Sequence, residues 1–129
     1  PTRPEPGYGY IQMGDVFCDN MYQAQSFTEK PERDFAKIFV ESGEFYWNTG
    51  LFLSNVKHLR ECFCKILPPV LRDYDKQYPE FSIETENAYM KESFSSYPNI
   101  SVDFGILEKP SNVCVMKCDF GWAEMILKF

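Results

Sequence analysis

Two extended runs open the pattern: GYGYIQMGDVF over residues 7–17 and MYQAQSFTE over 21–29, separated by Asp19-Asn20. Aromatic and β-branched residues between turn formers predict a pair of strands joined as a hairpin. Lys30 precedes a proline and is thereby biased to extended geometry. In PERDFAKIFVESG (31–43), Phe35, Ile38 and Phe39 fall at helical spacing, acids fill the first turn and Gly43 suits a helix stop. Pro31 fits the first helical position. EFYWNTGLFL (44–53) predicts an extended segment interrupted at Asn48-Thr49-Gly50. Ser54 is placed to cap a helix reaching about Leu67, with Val56, Leu59, Phe63, Ile66 and Leu67 as its apolar stripe. Pro68-Pro69 ends it, VLRDYDKQYP holds another turn or two, and IETENAYMKESF is a short helix. NVCVMKCDF is the last strand, leading into GWAEMILKF. The order is strand, strand, helix, strand, three helices, strand. That is a mixed α/β arrangement with too few strands for a self-contained doubly wound sheet, and it suits the later part of one.

The chain has 129 residues, of which 44% are hydrophobic and 25% charged, a globular balance rather than a disordered one. A single domain over residues 1–129 is expected. Aromatic residues reach 17%, which implies a core built on large rings or one completed by more protein. The net charge of −6 argues against nucleic acid as the main partner, while leaving room for a small phosphorylated ligand held by one or two cations. No apolar run approaches the roughly 20 residues of a membrane span, so no membrane partner is expected. The five cysteines (Cys18, Cys62, Cys64, Cys114, Cys118) are read as reduced thiols of a cytoplasmic protein, mostly small core residues. The start at Pro1, without an initiator Met and with three prolines in six residues, reads as a fragment of a longer protein.

Several polar groups interrupt apolar runs. Glu29-Lys30 stands where the second run ends, the place where open α/β sheets bind ligands. A carboxylate there accepts from vicinal hydroxyls and an ammonium reaches a phosphate. The competing reading is an exposed pair ahead of a helix, with the acid favoured by the helix dipole. Asn48 suits a sugar hydroxyl through its donor and acceptor, and equally a turn before Thr-Gly. Asp103 either caps a short amphipathic run together with Ser101 or faces a ligand, capping being favoured by spacing. Gly7 and Gly9 flank Tyr8 and allow either close backbone approach or a bulge. Trp122 and Glu124 are open between a metal site and plain surface.

PTRPEPGYGYI, FTEKP, FYWNTGLF, ISVDFGILEK and DFGWAE occur in the order and approximate spacing of the mannose-1-phosphate guanylyltransferases, a family of sugar-1-phosphate nucleotidyltransferases. The chain resembles that family over nearly its whole length. FTEKP is shared by many sugar nucleotidyltransferases, whereas its combination with WNTG and SVDFGILEK is more specific to the mannose enzymes.

The resemblance implies a partial nucleotide-diphospho-sugar transferase fold, Rossmann-like, with a mixed sheet and flanking helices. It implies that Glu29 binds sugar hydroxyls and Lys30 the sugar phosphate, Lys30 being the catalytic candidate. Tyr8, the backbone around Gly9, Asn48 and Asp103 would complete the sugar site. Glu124 matches a family acid that helps hold magnesium, so Mg2+ is the implied cofactor, with mannose 1-phosphate and GTP as substrates and GDP-mannose as product. The pattern departs from the family in four respects. Its G-x-G-x-R loop and upstream metal-binding Asp are absent, Glu124 stands where the family usually has Asp followed by Gly and a second Trp, and Pro6 replaces a threonine. The isolated chain is therefore expected to be inactive and, with apolar edges exposed, to self-associate. Two alternatives stand beside this reading: a non-catalytic sugar-phosphate-binding or regulatory protein derived from the family, and a nucleotidyltransferase for another sugar 1-phosphate.

Overall fold

The computed structural model describes residues 1–109 and 112–125. Residues 126–129, the end of the GWAEMILKF stretch, lie outside the described residues. The chain divides into two compact units, residues 1–52 with 110–129 and residues 53–109.

The first unit is built on a four-stranded sheet. The strands are β1 (Gly9–Cys18), β2 (Met21–Thr28), β3 (Phe45–Asn48) and β4 (Cys114–Met116), in the spatial order β3-β1-β2-β4. Helix α1 (Arg33–Ser42) connects β2 to β3. The predicted hairpin forms: β1 and β2 pair antiparallel, and Asp19 takes the left-handed conformation (φ 44°) that the tight reversal needs. The α/β class holds. Among the described strands, however, every pairing is antiparallel, where a mixed sheet was expected. The hairpin occupies one edge of β1, so the crossover through α1 delivers β3 to the other edge. β2 and β3 then run in the same direction with β1 between them. The last strand is also shorter than the NVCVMKCDF run suggested.

The core of this unit is aromatic. Tyr10 is 1% exposed and Tyr8 5%, and both pack with Ala36. Phe39, Val40, Phe45, Trp47 and Trp122 close around them. Phe39 stacks on Phe45 at 4.0 Å with their planes 12° apart, so α1 and β3 are joined ring to ring. The face that α1 presents is Ala36, Phe39 and Val40, displaced from the expected Phe35, Ile38 and Phe39. Phe35 and Ile38 remain 55% and 57% exposed. A small residue must face the Tyr8 and Tyr10 rings if the helix is to come close, and Ala36 is the one available in that turn. The helix starts at Arg33 rather than at Pro31, with the Glu32 carbonyl accepting the first bond from Ala36. Gly43 ends it at φ 71°, as its position suggested.

The opening Pro-rich segment is tied to this core. The Tyr10 hydroxyl accepts from the Glu5 N–H (2.9 Å) and donates to the Glu5 carbonyl (3.2 Å). On the sheet, Ile11 of β1 lies between Phe27 of β2 and Tyr46 of β3. The sheet curls strongly enough that Lys117, just after edge strand β4, reaches Tyr46 on edge strand β3. Its Nζ is 4.1 Å from the Tyr22 ring centre and 4.8 Å from that of Tyr46. Hydrogen bonding to Tyr46, and then to Tyr22, raises the Lys117 pKa above its ordinary value.

The second unit is helical: α2 (Val56–Ile66), α3 (Pro68–Gln77) and α4 (Ile83–Ser93), followed by a single π-helical turn at Asp103–Leu107. Asn55 caps α2 in place of Ser54, its Oδ1 accepting from the N–H groups of Lys57 (2.9 Å) and His58 (3.3 Å). Pro68 and Pro69 stop α2 and also start α3, since a proline in the first turn gives up only an N–H that has no helical partner. Ser82 and Thr85 form a capping box at the start of α4. Arg60 pairs with Asp75 between α2 and α3, and the Tyr74 hydroxyl donates to Glu86 between α3 and α4 at 2.5 Å. Val56, the first residue of the expected apolar stripe of α2, is 79% exposed, while Leu59, Phe63, Ile66 and Leu67 are half-buried.

All five cysteines are free thiols, but Cys18, Cys64 and Cys118 are exposed, against the expectation of core positions. Among the described residues no helix is long and apolar enough to cross a membrane.

Candidate functional site

The antiparallel register brings three of the expected site residues to one end of the first unit's sheet. Gly9 opens β1 and pairs with Asn48, the last residue of β3. On the other side of β1, Tyr10 pairs with Thr28, so the next residue, Glu29, emerges beside Gly9. A Cβ added at Gly9 would lie 2.8 Å from Glu29 Oε2, 3.4 Å from Asn48 Cβ and 3.8 Å from Asn48 Nδ2. The missing side chain at position 9 is therefore the space in which the carboxylate sits, with the carboxamide alongside. Residues 9, 29 and 48, distant in sequence, form one patch.

The turn that Asn48 was expected to form is present. Its Oδ1 accepts from the Gly50 N–H at 3.0 Å, a turn bond that orients the carboxamide with Nδ2 toward Gly9. Gly50 follows with φ 71°. Turn formation and a directed amide are the same arrangement.

Lys30 departs from the extended geometry expected before a proline. Its φ is 44°, in the left-handed region, where a residue with a Cβ sits at a cost of about 1–3 kcal/mol. The chain must leave β2 and turn into Pro31, which is buried, before α1 begins. That packing holds the turn. Lys30 Nζ stands 3.7 Å from Glu29 Oε1. Both side chains are largely exposed, so the pair contributes at most about 1 kcal/mol to stability. What it does is hold an ammonium beside a carboxylate at the sheet end, an arrangement suited to hydroxyls next to a phosphate.

Tyr8, expected at the sugar site, is a packing residue of the first unit's core. The ring is buried edge-on against Trp47 (5.2 Å, 88°) and Trp122 (4.7 Å, 62°). Its hydroxyl accepts from the Glu124 N–H (3.2 Å) and from Arg3 Nη2 (3.4 Å). Tyr8 thus supports the backbone leading into Gly9 from beneath. Arg3 was not singled out from sequence. Its guanidinium lies 5.2 Å over the Trp47 ring and pairs with Glu5 at 3.6 Å. Only the PTRPE stretch hinted at it. Trp47 Nε1 is buried without a hydrogen-bond partner.

Glu124 is an exposed residue held through its main chain to Tyr8. Among the described residues no three His, Cys, Asp or Glu side chains converge. Magnesium is held through one or two carboxylates together with water and substrate phosphates, so Glu124 could give at most one of its oxygens.

Asp103 belongs to the second unit. There it begins the π-helical turn, its carbonyl accepting from the Glu108 N–H at 2.9 Å. The cap of that turn is Ser101, whose Oγ accepts from the Phe104 N–H at 3.2 Å. Ser101, one of the two residues weighed for capping, thus makes a capping bond.

The sequence profile of the family described as "Nucleotidyl transferase" matches residues 1–95. A mannose-1-phosphate guanylyltransferase of Sinorhizobium fredii is 32% identical over 97% of this chain and 25% of its own length. One from Escherichia coli (strain K12) is 31% identical over 97% of this chain and 27% of its own. The chain spans about a quarter of the length of these curated relatives. Among solved structures, one from Thermus thermophilus, described as mannose-1-phosphate geranyltransferase, superposes with a TM-score of 0.75 at 31% identity. The match covers 90% of this chain and 32% of that one. A Helicobacter pylori structure described as mannose-6-phosphate isomerase gives a TM-score of 0.72 at 21% identity, over 96% of this chain and 49% of that one, a likeness of fold.

Proposed function

The chain belongs to the nucleotidyl transferase family, and from that premise we propose that it is the sugar-phosphate-binding portion of a mannose-1-phosphate guanylyltransferase. The observation that carries this reading is the convergence of the Glu29 carboxylate and the Asn48 carboxamide over the bare backbone of Gly9, with the Lys30 ammonium next to them. The guanylyltransferase relatives support the choice of sugar and nucleotide.

In the proposed reaction an oxygen of mannose 1-phosphate attacks the α-phosphorus of GTP. The bond from that phosphorus to the β-phosphate oxygen breaks, and pyrophosphate leaves with the electron pair. The residues of this chain act by placement. Glu29 accepts hydrogen bonds from adjacent sugar hydroxyls, and Asn48 adds an oriented amide. Gly9 lets the sugar lie against the main chain. Lys30 leaves its loose pairing with Glu29 for the phosphate, where its charge holds the attacking group and offsets repulsion between two anions. Magnesium supplies charge neutralisation in such reactions. For that ion Glu124 is proposed only as one oxygen donor among several. The five free cysteines favour the cytoplasm.

The test is calorimetric titration of the full-length protein with mannose 1-phosphate, paired with guanylyl transfer kinetics. Lys30→Ala and Glu29→Gln should each weaken binding by roughly tenfold or more, the scale of losing a hydrogen bond to a charged group. Wild-type affinity in both variants would overturn the reading. Glucose 1-phosphate in the same cell tests the sugar, since tighter binding of glucose 1-phosphate would move the assignment to another member of the family.

A further inference from the structure

Helix α2, in the second unit, carries a nucleophile and a base in contact. His58, the single histidine of the chain, precedes Cys62 by one helical turn. A side chain on a helix leans toward the N-terminal end, so Cys62 lies back over the turn that holds His58. Cys62 Sγ is 3.6 Å from His58 Nε2. Asn55 fixes the start of this turn by taking the His58 N–H. His58 is exposed and Cys62 half-buried, so small reagents reach the pair.

Three of the other four thiols are placed differently. Cys118 faces the Met116 carbonyl at 3.8 Å, an acceptor that cannot take the proton away. Cys64 follows Arg60 by one turn, but that guanidinium is engaged by Asp75 and is no base. Cys18 is exposed at the end of the hairpin's first strand.

We propose that Cys62 is the thiol of this protein that undergoes exchange with a low-molecular-weight disulfide such as oxidised glutathione, with His58 as its proton acceptor. The Cys62 S–H proton passes to His58 Nε2, and the thiolate attacks one sulfur of the reagent. A new S–S bond forms to Cys62 as the S–S bond of the reagent breaks. The departing thiolate then takes the proton from His58. Cys62 is oxidised to the mixed disulfide and one equivalent of small thiol is released, so the exchange needs no other oxidant. Reduction of the small-molecule pool reverses it.

The experiment is time-resolved exchange of the reduced full-length protein with oxidised glutathione, followed by peptide mass mapping of every cysteine. Cys62 should acquire the adduct about tenfold faster than Cys18 and Cys64, as a thiol beside a proton acceptor does relative to an unassisted one. His58→Gln, verified as folded by its helical circular dichroism, should bring the Cys62 rate down to theirs. Modification of Cys62 no faster than Cys18 and Cys64, or an unchanged rate in His58→Gln, would overturn the proposal. Sugar phosphate binding is read separately, so failure here leaves the function proposed above untouched.

Discussion

Glu29 occupies the volume that any side chain at Gly9 would need, its Oε2 lying 2.8 Å from where a Cβ would be placed. Gly9→Ala should therefore act on the site before it acts on the fold. The obstructed group is the far end of a flexible, exposed side chain, which swings away at little cost. We expect mannose 1-phosphate affinity to fall about tenfold, the scale of losing a hydrogen bond to a charged group. The melting temperature should change by no more than a few degrees, as for a small stability change in a domain of this size. Calorimetry and thermal unfolding of the same preparation separate the two effects.

Tyr8 is a packing residue whose hydroxyl also anchors the Glu124 segment. Tyr8→Phe removes one acceptor and should cost about 1 kcal/mol. Tyr8→Ala removes a buried ring between two tryptophans and should cost about 3–5 kcal/mol. Denaturant titration followed by tryptophan fluorescence measures both. Equal losses in the two variants would show that the ring itself contributes little.

Removal of the α2 cap is expected to affect the helical unit. Asn55→Ala leaves the N–H groups of Lys57 and His58 without their side-chain acceptor and should cost about 1 kcal/mol. Ser54→Ala, one residue earlier, should cost much less. Reversal of that order in urea unfolding would assign the cap to Ser54 after all.

Alkaline pH should loosen the same unit. The hydrogen bond to Glu86, followed by partial burial, pushes the Tyr74 hydroxyl up to about 12 from an ordinary value of 10.0. The folded state holds this proton more tightly than the unfolded state does. Its stabilising contribution is thus complete below pH 10 and is lost as pH rises toward 12. Tyr74→Phe should flatten the stability profile over that window while leaving the profile near neutrality parallel to wild type. Phenolate absorbance in the native protein should show fewer tyrosines ionising near pH 10 than in urea, because Tyr74 and Tyr97 are both shifted upward, and Tyr74→Phe should remove one of them from the difference.

The contact between Lys117 and Tyr46 across the curled sheet makes a further prediction. Lys117→Met keeps the aliphatic stem and removes the ammonium held over two rings. A loss of about 1 kcal/mol is expected from the cation–π contacts. Hydrogen-exchange protection should fall at β4 and β3 more than at β1. Uniform loss along the sheet would mean that the lysine is not what joins its two edges.

Much of the chain was determined locally. The hairpin at Asp19-Asn20, the stop at Gly43, the turn at Asn48 and Gly50, and the helix over 83–93 follow from turn chemistry, backbone permissiveness and capping, all of which act within a few residues. The family likewise shows in short motifs that keep their order. Other features depended on groups far apart in sequence. Only packing selected Ala36, Phe39 and Val40 as the buried face of α1, because the helix had to approach two tyrosine rings whose positions are set by β1. Only the antiparallel register put Glu29 and Asn48 over Gly9, and only the curl of the sheet carried Lys117 to Tyr46. Lys30 adopts a left-handed backbone against its local preference because buried Pro31 and the entry to α1 outweigh that preference. Local sequence specifies which conformations a segment favours. Which side chains meet is decided when strands, separated by whole elements, choose partners and bury their rings together.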